Sequence, residues 1–380
     1  MRGPETPMAT HPPFTIGSPI EMRSRELGMT DVPKSTTGRP PSAGGSAEGA
    51  SGTGHSPDVL SDVLRAIRLS GAVFFTVEGY SPWAFDGPAS AAVETFLRSG
   101  NDHVVPFHAI ASGSCWVGVQ GEPPVQLHAG DVIVLPQNDR HVVSSEPGLT
   151  GPPVEVRLDP AARTPLPLPV HLGSGGGPRC EVICGFLGCD VRPFNPLFDA
   201  LPRRMLVARG ATQGAALGSF IELTREELTR SGPGRETMLA RLAEVMFVEA
   251  LRRFIEAYPT QMGWLAGMSD ELVGRSLAAL HSRPGDPWTL DVLARHVATS
   301  RSVLAERFTG LLGMAPMQYL ARWRMQLATE LLAGSKASIA EIAHRLGYGS
   351  EAALSRAFKR IVGVSPAHWR RGRRPLPPPG

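Results

Sequence analysis

Two short segments near the C-terminal end carry the side chains best suited to chemistry with a partner. The first presents Arg301, Ser302, Ala305 and Glu306; the second presents Ser355, Arg356, Lys359 and Arg360. A guanidinium offers paired N–H donors that match the acceptors of guanine, and each good bidentate pair discriminates between bases by about 1–3 kcal/mol. Ser302 and Ser355 can bond either a base or a phosphate. Lys359, Arg360, Arg370 and Arg371 suit backbone phosphates, which set affinity and salt dependence. Glu306 and Glu351 are awkward beside phosphate, although each can accept from the N4 amine of cytosine. The bland alternative for any one of these groups is a solvated surface side chain.

The elements that must hold these groups form a repeat with a constant offset of fifty. Ser300, Leu304, Phe308, Gly313, Pro316 and Tyr319 recur as Ser350, Leu354, Phe358, Gly363, Pro366 and Trp369. Each copy follows a short alanine-centred run, Leu290 to Ala294 and Ile339 to Ala343. Thr289 and Ser338 are placed to cap the first helix of each unit, and Ser300 and Ser350 to cap the second. Val303, Leu304, Phe308 and Leu311 should bury one face of the first recognition helix; Ala353, Leu354, Phe358 and Ile361 should do so in the second. Gly313 and Gly363 end these helices, and Pro316 starts the next at a favoured position. That next helix, from about 316 to 332, is long enough for Tyr319, Leu320, Trp323, Leu327 and Leu331 to touch both units. Arg322 and Arg324 lie off its stripe, available to phosphates. The turn of the second unit, Gly347 to Ser350, is one residue longer than that of the first.

Charge agrees with a polyanion partner. The chain carries only +3 overall, yet the span from Asp286 to Pro375 holds fourteen Lys/Arg against six Asp/Glu. Residues 287–371 closely resemble the AraC/XylS family of bacterial transcription regulators, above all in Gly347-Tyr348-Gly349-Ser350-Glu351-Ala352-Ala353-Leu354-Ser355-Arg356 and Gly363-Val364-Ser365-Pro366. Leu304 and Leu354 stand where members often carry Phe, and Glu306 where some place a base-reading Arg. The resemblance implies two helix-turn-helix units, with recognition helices at about 300–312 and 350–362 entering DNA grooves. An activator of this kind also implies RNA polymerase as a partner.

Upstream the periodicity is that of strands. A short amphipathic helix, Asp58 to Leu69, buries Val59, Leu60, Val63, Leu64 and Ile67. Short β-rich runs follow at 72–77, 103–110, 115–119, 125–127 and 132–135, with Gly and Pro between them. A Pro- and Gly-rich stretch, 160–177, interrupts them, and a strand pair is expected at 181–187. His108, His141 and Gly130-Asp131-Val132-Ile133-Val134-Leu135-Pro136 look like a cupin barrel. The resemblance implies a small-molecule effector site, with His108, Trp116 and His141 as its candidate contacts. His103 and His108 are five apart and so face opposite sides of a strand. The close histidine pair of metal-binding cupins is missing, which leaves His108 and His141 as weak metal candidates; no metal and no cofactor is expected. Cys180 and Cys184 share one side of a strand and Cys189 takes the other. Buried small apolar residues are the first reading of these cysteines; a thiol sensor or a metal site is the other.

The domain plan that follows is multidomain α and β. A Pro/Gly/Ser-rich segment, 1–56, lacks the apolar content to offset its ordering entropy and is expected to be disordered. A cupin-like β-barrel spans 57–206, a helical linker 207–284, an all-α DNA-binding domain with two helix-turn-helix units 285–372, and a Pro-rich tail 373–380. Within the linker, the helix 236–258 carries a broad apolar stripe of Leu239, Leu242, Val245, Met246, Phe247, Leu251, Phe254 and Ile255. It is buried either in its own domain or against a second subunit of a homodimer. No run of about 18 apolar residues exists and Met1-Arg2-Gly3-Pro4 opens no signal peptide, so a cytoplasmic protein without membrane contact is expected. The functional expectation is a promoter-binding regulator answering to a small molecule, not an enzyme. The alternatives are a metal-dependent cupin enzyme fused to a DNA-binding domain, and a sequence-indifferent DNA-coating protein.

Overall fold

The computed structural model describes residues 58–67, 69–87, 103–151, 166–190, 193–209, 215–258 and 263–372. The expectations for 1–56 and for 373–380 lie outside the described residues.

Asp58 caps helix α1 (Val59–Ala66) by accepting from the Ser61 N–H at 3.0 Å, and Val59, Val63, Ala66 and Ile67 are buried as the periodicity requires. Among the described residues ten strands build two sheets. They are β1 (Ser70–Tyr80), β2 (Ala84–Asp86), β3 (His103–Ser112), β4 (Ser114–Val119), β5 (Val125–His128), β6 (Val132–Val134), β7 (His141–Ser144), β8 (Leu168–Leu172), β9 (Arg179–Cys189) and β10 (Met205–Val207). The larger sheet runs β10-β6-β3-β9-β1-β8 and the smaller β2-β7-β4-β5. One core fills the space between them and includes Phe85, Ile110, Val117, Leu127, Ile133, Val143 and Phe186.

Two strand expectations need correction. The 160–177 stretch is not a plain interruption, because β8 lies in it and pairs in parallel with β1, Phe75 opposite Leu168. An edge position tolerates Pro169, which has no N–H to give the ladder. The expected strand pair at 181–187 is instead the single strand β9, with β1 on one side and β3 on the other.

The larger sheet is buried on both faces. Its outer face carries Val105, Phe107, Ala109, Ile183 and Leu187, and helices cover it. Between β9 and β10 lies α2 (Pro196–Ala200); after β10 come α3 (Ala215–Thr229) and α4 (Arg235–Ala257). The stripe of α4, from Leu239 through Phe247 to Phe254, is buried in this same core. Val245 was expected within that stripe but is 44% exposed.

Residues 264–282 fall within the expected helical linker. They form α5 (Trp264–Ser269) and α6 (Glu271–Ser282), which bury Trp264, Leu265, Val273, Leu277 and Leu280. Six helices complete the described residues: α7 (Leu290–His296), α8 (Arg301–Leu312), α9 (Pro316–Gly334), α10 (Ile339–Arg345), α11 (Glu351–Val362) and α12 (Pro366–Gly372). Helix α9 joins two cores. Tyr319, Leu320 and Trp323 belong to the one shared with α7 and α8, while Met325, Ala328 and Leu332 belong to the one formed by α10 and α11.

Candidate nucleic-acid interface

Each helix-turn-helix unit is punctuated by side chains that satisfy the free N–H groups of a helix start. Thr289 Oγ1 accepts from Val292 N at 3.2 Å and Ser338 Oγ from Glu341 N at 3.2 Å, the latter within a full capping box. Ser300 and Ser350 do the same for α8 and α11, from Val303 N at 3.3 Å and Ala353 N at 3.1 Å. Gly313 and Gly363 close both recognition helices in the left-handed region, at φ 70° and 89°.

The two turns superpose until one inserted residue. Val297 and Leu346 end α7 and α10, and the next residue in each, Ala298 and Gly347, has positive φ, 56° and 71°. The residue after that donates back into the helix: Thr299 N to Ala294 O at 2.9 Å, Tyr348 N to Ala343 O at 2.8 Å. Only then does Gly349 intervene before the capping Ser350, which accounts for the longer second turn.

In the recognition helices Leu304, Phe308, Leu354 and Phe358 are wholly buried. Val303 does not join them; it is 50% exposed, because its turn of α8 faces outward ahead of the buried Leu304. Arg301, Ser302 and Glu306 are exposed on α8, as are Arg356, Lys359 and Arg360 on α11; Ala305 and Ser355 are half-buried at equivalent places. Position by position, Glu306, Thr309 and Gly310 of the first helix stand where the second has Arg356, Lys359 and Arg360. Arg301 Nε also lies 3.1 Å from Asp291 Oδ1, so part of the positive charge of α8 is neutralised within its own unit. The second helix therefore offers the stronger positive field.

Four arginines that sequence makes available to phosphate, or leaves unassigned, hold the fold instead. Arg324 donates to the Pro284 and Asp286 carbonyls at 2.7 and 2.8 Å and lies 5.6 Å from the Tyr348 ring, so it ties the entry segment to the second turn. Burial lowers its pKa. Arg322 sits 5.7 Å above the Phe194 ring. Arg370 donates to the Ala337 carbonyl at 2.6 Å. Arg307 makes two contacts to Asp270 Oδ2, at 2.9 and 2.7 Å, and pins α8 to the start of α6. Burial pushes Asp270 up, but the Val273 N–H and the Arg307 guanidinium outweigh it and hold the carboxyl below its ordinary value. Such partners lie too far away in sequence to be read from local spacing.

In the barrel, His108 and His141 do meet. Their Nε2 atoms are 2.7 Å apart in the interior, and Cys184 Sγ lies 3.0 Å from His108 Nδ1. His141 Nδ1 is 2.9 Å from the Asp139 carbonyl, which can only accept. That contact fixes every proton: His141 donates to Asp139, His108 Nε2–H donates to His141, and the Cys184 S–H donates to His108. Burial holds both histidines below their ordinary pKa, with each other's charge a further cause for His108, and burial raises the Cys184 thiol. The groups form a chain through different nitrogens, not donors converging on a point. Among the described residues no group of three or more His, Cys, Asp or Glu is placed to hold a metal ion.

Trp116 does not share this interior. It pairs with Gln126 and Ser144 on the outer face of the smaller sheet, while Cys115 and Val117 point inward. Cys115, Cys180, Cys184 and Cys189 are all buried and outside any disulfide, and Cys189 faces the opposite side from Cys180 and Cys184 as the strand period requires.

Comparison with known proteins identifies both halves. A cupin family model matches residues 58–256 and a helix-turn-helix domain model matches 293–372. The chain is 33% identical over 323 residues to a putative AraC-like transcription regulator of Streptomyces lividans, covering 83% of this chain and 98% of that one. It is 27% identical to the HTH-type transcriptional regulator AlkR of Acinetobacter baylyi, covering 82% and 99%. Among solved structures, the DNA-binding domain of AdpA in complex with a target DNA is 33% identical and covers 28% of this chain and all of that one, at a TM-score of 0.27. Among the described residues no helix is long and apolar enough to cross a membrane. With a cupin region ahead of two helix-turn-helix units, and identity to such regulators along most of its length, the chain belongs to the AraC-like transcription regulators.

Proposed function

We propose that this regulator binds promoter DNA in the cytoplasm through α8 and α11, with α11 providing the firmer grip, and that a small molecule taken up by the cupin region sets its activity. The observation that carries the DNA reading is the matched pair of exposed faces on two helices held at fixed separation by α9. Their different charge predicts an asymmetric site. Arg356→Ala should weaken operator binding by about 1–3 kcal/mol while leaving binding to unrelated DNA nearly unchanged. Arg301→Ala should cost less, because Asp291 already holds that side chain. Gel-shift titrations on both DNAs test this; equal losses on the two would remove Arg356 from base reading. Supporting the non-enzymatic reading is the linear arrangement of His108, His141 and Cys184, which lacks the open convergent site that a catalytic metal requires.

We also propose a homodimer through the solvent side of α4. Met238 and Val245 are exposed there, and Val248 and Ile255 half-buried, at alternating spacings of seven and three. The face is mirror-symmetric about the peptide between Met246 and Phe247: Met238 reflects Ile255, Arg241 reflects Arg252, Glu244 reflects Glu249 and Val245 reflects Val248. An antiparallel two-fold pair would stack valine on valine, with each Arg–Glu ion pair kept within its own helix at the rim. Val245→Glu should shift sedimentation from dimer to monomer while the circular dichroism spectrum stays that of the folded chain. A wild-type chain that sediments as a monomer at tens of micromolar would refute the proposal.

A further inference from the structure

A cleft of about 560 Å³ opens where α1 of the cupin region meets α5, α6 and the end of α7. Its volume falls within the range of small-molecule sites, and such sites favour domain junctions. The floor is apolar, formed by the buried Val59, Ala279 and Val297. The rim is acidic on balance: Asp58, Asp270 and Glu271 against Arg275, with the His296 imidazole beside them. Arg275 already lies 3.8 Å from Glu271, and Asp270 is bound by Arg307, which leaves Asp58 as the carboxylate without a cationic partner at bonding distance among the described residues. Its Oδ1 accepts from the Ser61 N–H and its Oδ2 from the Ser61 hydroxyl, which hold it in place as the cap of α1. One turn along α1, and one residue from the lining Ser282, the seam closes on Asp62 and His281. The His281 ring is fully buried; its Nδ1 has no hydrogen-bond partner and lies 4.0 Å from Asp62 Oδ2.

We propose that this cleft is a ligand site and that it takes an organic ammonium ion with an apolar body. The apolar part would cover Val59, Ala279 and Val297, and the charge would lie against Asp58. Because its walls come from α1 of the cupin region on one side and from α5, α6 and the end of α7 on the other, occupancy favours the arrangement in which these helices are docked. The site is separate from the barrel interior around His108, so it provides a second input to the same regulator.

Titration of the full chain, without DNA, by calorimetry and thermal melting tests it with three probes of one shape: 4-phenylbutylammonium, 4-phenylbutanol and 4-phenylbutyrate. The ammonium should bind saturably and raise the melting temperature, the alcohol should bind more weakly, and the carboxylate should not bind. Asp58→Ser keeps a helix-capping hydroxyl and removes the charge; it should weaken the ammonium by up to about fivefold and leave the alcohol unchanged. Ala278→Trp fills the cleft and should abolish binding of both. Should the tryptophan variant fail to fold, Asp58→Ser still decides the charge assignment. No saturable ammonium binding, equal binding of ammonium and carboxylate, or ammonium binding untouched by Asp58→Ser overturns the proposal. Since no DNA is present, none of these outcomes bears on the promoter-binding reading.

Discussion

At the scale of single residues, Ala298 and Gly347 make a natural experiment within one chain. Both occupy the left-handed position of a helix-turn-helix turn, at φ 56° and 71°. The left-handed region costs an L-residue about 1–2 kcal/mol, and a glycine gives back roughly 0.5–1 kcal/mol in the unfolded chain. Ala298→Gly should therefore stabilise the first unit by about 0.5–1 kcal/mol, read as a higher urea midpoint at constant slope. The reciprocal change is not symmetric. A Cβ at Gly347 would collide with the Gly285 carbonyl and come within 2.9 Å of Arg324 Nη2. Gly347→Ala thus combines backbone strain with a clash against the entry segment, and a loss of about 2–3 kcal/mol is expected. A neutral Gly347→Ala would show that the entry segment yields freely, contrary to its fixation by Arg324.

At the scale of elements, the capped helices were legible and their partners were not. Thr289, Ser300, Ser338 and Ser350 act within three residues of themselves, so spacing alone places them. The strand alternation that separates Cys184 from Cys189 is equally local. The individual bounds of α5 and α6 were hidden by Gly267 and Gly274 within them, and β8 by Pro169, because what stabilises these elements is long-range burial. Arg307 shows the same limit: nothing near it in sequence announces Asp270. That ion pair fixes how α8 sits on α6, and its pH dependence follows from the carboxyl. A folded-state pKa held below the unfolded value gives stability that is complete above about pH 4 and lost as pH falls through the folded pKa. Asp270→Asn keeps a good helix cap but not the charge. The stability gap between wild type and this variant should be full at pH 7 and shrink as pH falls below the ordinary aspartate range, measured by urea denaturation from neutral into acid. A gap that persists in acid would assign the contact to packing instead.

At the scale of the whole molecule, the two functional halves share one core. It runs from the outer face of the larger sheet through α4 and α6 to Tyr319 and Trp323 of α9. The polar seam inside it is specific. Trp264 Nε1–H donates to the Tyr319 oxygen at 2.9 Å, and that oxygen lies 2.8 Å from His281 Nε2. Gln326, 2% exposed on α9, receives the Phe194 N–H at 3.3 Å and donates to the Ala66 carbonyl at 3.4 Å, so one amide holds two backbone groups of the cupin region. Apolar contact alone allows the surfaces to slide; this amide sets one register between α9, α1 and the segment before α2. Gln326→Leu preserves volume but strands a buried N–H and a buried carbonyl, at about 1–3 kcal/mol for each group left unpaired. The loss falls at the junction and leaves each half its own contacts. Wild type should therefore melt in a single calorimetric transition, and Gln326→Leu should split it, with the helix-turn-helix half releasing first. Operator affinity of the variant reads the coupling directly: if docking restrains the DNA-binding half, affinity rises as the restraint is lost. A single transition retained at lower temperature would show that the apolar core alone couples the halves.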